Sequence, residues 1–192
     1  MIALSENERP SPPADWARQL LEFWFDGHDM KDWYSGGADF DRDVADLAAD
    51  WHDALRSQPA SSFLTDPDTA LAAAILFDQV PRNIHRHNAE AFATDDLARA
   101  IARGIVAHGW DRDWPDERRQ FAYLPFQHSE DMADQRESLR LFNQLADPLF
   151  HDYAKKHFDM IDRYGRFPHR NAALGRATRD DEEAAIEEGK DW

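Results

Sequence analysis

Apolar residues recur at helical spacing through almost the whole chain. Trp16, Leu20, Phe23 and Trp24 fall at i, i+4, i+7 and i+8, which predicts one stripe of a first helix with Gly27 as its stop. Phe40, Val44, Leu47 and Trp51 form a second stripe. The stretch "DPDTALAAAILFDQV" is apolar on most sides and predicts a central helix, ended by Pro81 because proline disfavours helical geometry at the preceding residue. Thr94 is read as the cap of a fourth helix, with Asp95 and Asp96 in its first turn and Leu97, Ile101 and Ile105 on its inner face. "DERRQFAYLPFQ" reads as a shorter helix closed near Pro125. Ser129 is read as the next cap, followed by Glu130 and Asp131, with Leu139, Phe142 and Leu145 inward. Phe150, Tyr153, His157, Ile161 and Tyr164 line a further helix, stopped by Gly165. Pro168 starts a short helical turn that ends at Gly175, and Thr178 with Asp181 resembles the capping box of an acidic last helix.

No stretch alternates with period two between turn residues, so the expectation is an all-α chain. It is read as a flexible lead-in over residues 1–12 and a single all-α domain of about eight or nine antiparallel-packed helices over 13–192. Trp24, Phe77, Ile101, Phe142 and Ile161 are expected in its core. No self-similarity appears at the ~34-residue period of the common helical repeats.

Composition narrows the function classes. The chain has 192 residues, with 42% hydrophobic and 12% aromatic, which supports a packed core rather than disorder. It has no cysteine, so disulfides, thiolate metal sites and cysteine nucleophiles are excluded. The first residues show neither a basic start nor a long apolar run, and no stretch approaches ~20 apolar residues. A soluble, cytoplasmic protein with no membrane partner is the expectation. A formal net charge of −16 argues against a nucleic-acid partner. Only four of the 22 basic residues are lysine, and arginine suits fixed, bidentate contacts.

Two stretches concentrate chemistry against this acidic background. "RYGRFPHRNAALGR", residues 163–176, carries four arginines, a histidine and an asparagine around one proline and two glycines. "DQVPRNIHR", residues 78–86, again runs from proline into Arg-Asn. These motifs, in order with "LEFWF", "WY" at 33–34, "FD" at 40–41, "AFATD", "LPFQHSED" and His157, resemble the bacterial domain-of-unknown-function family 924 over about residues 18–183. Its members commonly read DQFPRN and GRFPHRN at these places. The chain departs mildly at Val80 and Gln127. The resemblance implies a tetratricopeptide-like helical array and carries no activity with it.

Each motif has a structural and a functional reading. In the second motif, Gly165, Pro168, Asn171 and the arginines would close a helix junction; alternatively, Arg166, His169 and Arg170 would hold an anion at a helix start. In the first, Asp78 and Arg82 would pair while Asn83 caps the turn, or Arg82 and Arg86 would face the other motif and share one ligand. His128 stands as a leftover at a helix start or as a general base oriented by a carboxylate. His157, on an apolar stripe, reads as a core histidine. His85 and His87 form only H-x-H, and no metal, nucleotide or hydrolase-elbow motif is present, so no cofactor or metal is expected.

The two motifs are expected to meet, with His128 beside them and Asp78, then Glu130 and Asp131, as the carboxylates between the arginines. Arg82, Asn83, Arg86, His128, Arg166, His169, Arg170 and Asn171 form the candidate ligand-binding set, and Asp78 and His157 the structural polar set. Three functions fit. One is a binding module for a small anionic molecule or peptide carboxylate. Another is a hydrolase-like enzyme using His128 or His169 as acid/base, with Glu130 as a further catalytic candidate. The third is a protein-interaction scaffold.

Overall fold

The structure, a computed structural model, describes residues 11–35 and 37–189. Most of the expected lead-in, and the end of the acidic tail, lie outside these residues. Among the described residues there are ten α-helices and no strand. Helix α1 (Trp16–Leu21) runs on as a π-helical turn over Glu22–Asp26 before Gly27. Helices α2 (Met30–Ser35) and α3 (Ala38–Leu55) follow.

Helix α4 (Pro67–Asp78) is the axis of the fold: every residue from Ala70 to Asp78 is buried. Its four alanines let neighbouring helices approach closely, and α1, α6 (Asp95–His108) and α7 (Asp116–Gln127) all pack on it. Pro67 sits in its first turn and the Asp66 side chain accepts from Thr69 N at 2.9 Å. At the other end Gln79 is the one-residue joint to α5 (Val80–Ile84), which has Pro81 in its first turn. Helices α8 (Met132–Phe142) and α9 (Pro148–Tyr164) pack as a pair against α7, and Gly165, at φ +68°, stops α9 in the left-handed conformation glycine tolerates. A 3₁₀ turn at Pro168–Arg170 and the short α10 (Glu183–Glu188) complete the described chain.

Several caps differ from expectation. Thr94 precedes α6 but caps nothing; its hydroxyl donates 2.7 Å to Phe77 O, tying α6 to α4, and accepts from His52 Nε2 at 3.2 Å. Asp131, not Ser129, caps α8, accepting from Ala133 N and Asp134 N, while Ser129 Oγ donates to Asp134 at 2.8 Å. Helix α7 continues through Pro125 to Gln127, at the loss of the one backbone hydrogen bond that the proline cannot donate. Helix α10 starts after Glu182 rather than from a Thr178 capping box.

The main core contains Trp24, Phe77, Ile101 and Phe142; Ile161 belongs to a smaller cluster with Met160, Tyr164, Phe167 and Ala185 beneath the C-terminal segment. All five expected core residues are at most 2% exposed. Truncating Trp24 or Phe77 to alanine is expected to lower unfolding free energy by about 3–5 kcal/mol in chemical denaturation. A loss near zero would mean that these rings are not packed as seen here.

Candidate functional site

The joint between α4 and α5 sets the site. Asp78 ends α4 with its side chain 1% exposed, and His128 sits at the C-cap of α7, which packs alongside. His128 Nδ1 lies 2.9 Å from both oxygens of Asp78. Gln79 Nε2 donates to the same carboxylate at 2.5 Å.

One turn beyond the joint, Arg82 approaches Asp78 Oδ1 at 3.2 Å and also donates to the Asp78 carbonyl. Its other contacts are bidentate, to Asp95 in the first turn of α6 at 3.0 and 3.1 Å. From the far side Arg170 Nη1 reaches Asp95 at 3.5 Å and donates 3.0 Å to the His128 carbonyl. The result is a closed ring, His128–Asp78–Arg82–Asp95–Arg170 and back to His128. Two carboxylates stand against two guanidiniums, so the buried charges balance. The guanidinium of Arg170 is held between the rings of Phe92 and Phe167, 4.7 and 4.4 Å from their centroids.

Burial disfavours an ionised Asp78, but Arg82 and His128 outweigh it and hold the carboxyl far below its ordinary range. Burial pushes the His128 imidazole down, and Asp78 only partly restores it. Burial, with Arg82 as a like charge, draws Arg170 down to about 10, still cationic at neutral pH. An ionised Asp78 can only accept, so Nδ1 of neutral His128 carries the proton and Nε2 keeps its lone pair. Nε2 has no hydrogen-bond partner among the described residues. His128 lines a cleft of about 430 Å³ with Phe92, Asp95, Ser129, Glu130, Arg170 and others.

The Pro-Arg-Asn and Pro-His-Arg-Asn motifs therefore meet, through Asp95, and His128 lies between them. Other candidates go elsewhere. Asn83 donates to Gln79 O at 3.1 Å, and Arg86 pairs with Asp41 of α3 at 2.5 and 2.7 Å. Arg166 is held by Glu182 at 2.7 Å, and Asn171 donates to the same carboxylate at 3.0 Å. Neither lines the cleft. The His169 ring lies tilted beside that of Phe167, centroids 5.5 Å apart, and is covered by the C-terminal segment, where a Cβ added to Gly189 would meet it. Glu130 faces the cleft, but its carboxylate accepts from Phe167 N at 2.8 Å and from Arg176 at 2.7 and 3.0 Å. It is thereby committed to holding the Pro168 turn. His157 donates from Nδ1 to Tyr153 O at 2.9 Å, 6.0 Å from the His128 ring.

Four residues of this arrangement carried no signal of their role in the sequence. In the sequence Asp95 stands out only as an acid in a helix's first turn, and Glu182 only as one of several acids in an acidic last helix, although it is fully buried. Phe92 and Phe167 are single aromatics in turns. Among the described residues no group of three or more His, Asp or Glu is placed to hold a metal ion, and no helix is long and apolar enough to cross a membrane.

Comparison with known proteins places the chain. No curated protein matches it. A solved structure of a protein of unknown function from Agrobacterium tumefaciens is similar, with 36% sequence identity, 92% of this chain and 99% of that one covered, and a TM-score of 0.85. A family model described as a bacterial protein of unknown function (DUF924) matches residues 20–190. The chain thus belongs to the DUF924 family of bacterial proteins.

Proposed function

We propose that the protein is an acid–base enzyme of the hydrolytic class, with His128 as general base and Asp78 as the carboxylate that orients it. One observation carries this reading: the buried Asp78 grips His128 Nδ1 with both oxygens at 2.9 Å while the imidazole faces a cleft. Water is the nucleophile in this scheme, because Ser129 Oγ is engaged by Asp134 and the sequence has no cysteine. His128 Nε2 takes a proton from water as the oxygen bonds to an acyl carbon. The imidazolium then returns that proton to the leaving oxygen or nitrogen as its bond to carbon breaks. The cysteine-free sequence and its charge of −16 support a cytoplasmic enzyme acting on small molecules rather than nucleic acid.

The test is a screen of purified protein against small esters and amides, followed by His128→Gln and Asp78→Asn. The first is expected to lower kcat about 10²–10⁴-fold, the range of general base catalysis. Asp78→Asn keeps the shape of the side chain and removes the charge, and is expected to be impaired as well. Activity should already be at its plateau near pH 7, since burial places the titration of His128 below its ordinary 6.5. Turnover that survives unchanged in His128→Gln overturns the assignment. A binding module without turnover is the second reading, favoured by the state of Arg170 described next.

A further inference from the structure

Arg170 presents one edge of its guanidinium to the protein and leaves the other without a partner. Nη1 makes both of its hydrogen bonds, to His128 O and Asp95. Nε is buried with no hydrogen-bond acceptor, and Nη2 has none among the described residues. The side chain as a whole is only 7% exposed, yet the residue lines the cleft. A buried N–H without an acceptor is uncommon, because the fold carries its desolvation without return. Nε and Nη2 lie on the same edge, and their two N–H bonds point in parallel, the fork that matches the two oxygens of a carboxylate. The aromatic rings of Phe92 and Phe167 clamp the plane, so this edge has a fixed direction.

We infer that the unpartnered Nε/Nη2 edge of Arg170 is a carboxylate subsite, and that the cleft takes small monoanionic carboxylic acids. The surroundings select against a more highly charged anion. Asp95, Asp96, Glu130 and Asp131 also line the cleft, against only Arg99 and Arg170. Arg99 is already taken by Asp96 at 2.5 Å and Asp134 at 3.2 Å. Arg170 already shares its charge with Asp95, so every negative charge added to the cleft faces these acids; a carboxylate brings one, a phosphate dianion two. The subsite takes its role, though not its existence, from the acid–base reading above. Arg170 is bonded to the carbonyl of His128 itself, so a carboxylate held there fixes the substrate relative to the base. The substrate class is then an ester or amide carrying a carboxylate a few atoms from its acyl bond.

The probes are N-acetylglycine, its uncharged amide N-acetylglycinamide, and inorganic phosphate, titrated into the full-length protein. Binding is followed by calorimetry and by the ¹⁵N–¹H signal of the Arg170 Nε. N-acetylglycine is expected to bind at least tenfold more tightly than the amide or phosphate and to shift the Nε signal. Arg170→Lys, which keeps the charge and loses the fork, should lose most of that preference. If that variant fails to fold, the comparison of the three probes on the wild-type chain still decides. Equal binding of acid and amide, phosphate bound as tightly, or an unmoved Nε signal overturns the subsite. Preference for the acid that persists in His128→Gln supports it even if no turnover is found, so the two proposals fail separately.

Discussion

Replacing Asp78 by alanine is expected to lower the unfolding free energy by about 3–5 kcal/mol, the cost of leaving a buried charge without its partner. Asp78 and Asp95 balance Arg82 and Arg170 in the ring around the α4–α5 joint. Without Asp78, one carboxylate faces two guanidiniums, and Gln79 and His128 each lose an acceptor. For a chain of this length the loss corresponds to a fall of about 10 °C in Tm. The double variant Asp78→Ala, Arg82→Met removes both charges of one pair and should recover part of the loss. Thermal and urea denaturation of the two variants check this. A single variant as stable as wild type, or a double variant no better than the single, contradicts the balanced-charge account.

The second large effect is acid sensitivity beginning well above the carboxylate range. Burial pushes His52 and His169 down to about 4, and depresses His157 and His128 as well. The unfolded chain binds protons at these histidines near 6.5, the folded chain only at lower pH, so stability rises with pH between the two values. The contribution is fully present above 6.5 and is lost as pH falls through the folded values. For the fully buried His52 alone the loss reaches roughly 3 kcal/mol by pH 4, at about 1.4 kcal/mol per unit. A second decline follows at lower pH, where Glu182, held at about 2 chiefly by Arg166, and Asp78 take up protons. Tm is expected to be level from pH 8 to 7 and to fall steadily from 6.5 to 4, with His52→Gln flattening the curve. A Tm unchanged between pH 7 and 4.5 would show that these histidines are not buried neutral.

Much of the fold was legible in the chain, for a local reason. A stripe at i, i+4 and i+7 lies on one face of a helix wherever that helix packs, so Trp24, Phe77, Ile101, Phe142 and Ile161 could be assigned to the interior without knowing their neighbours. Gly165 and Pro168 acted as backbone punctuation for the same reason. Caps were less legible. Thr94, Ser129 and Thr178 all have side chains able to cap, but Thr94 reaches Phe77 O and Ser129 reaches Asp134. A hydroxyl takes whichever partner the packing brings near, and that partner is not written next to it.

The chain by itself determined most of the helices, though not the short α2 and α5, the interior face of the longer ones, and which short segments were rich enough in Arg, Asn and His to hold a site. Only the tertiary structure decided how those charges were used. Arg166 found Glu182 sixteen residues on, Arg176 found Glu130, Arg163 settled over the ring of Tyr164, and Arg86 crossed to α3. Asp78 and His128 are 50 residues apart and met because α4 and α7 pack side by side. Periodicity reports the direction of a side chain relative to its own helix. The partner of a buried charge depends on how two helices are set against each other, and α4, almost uniformly apolar, shows no preferred face from which that setting could be read.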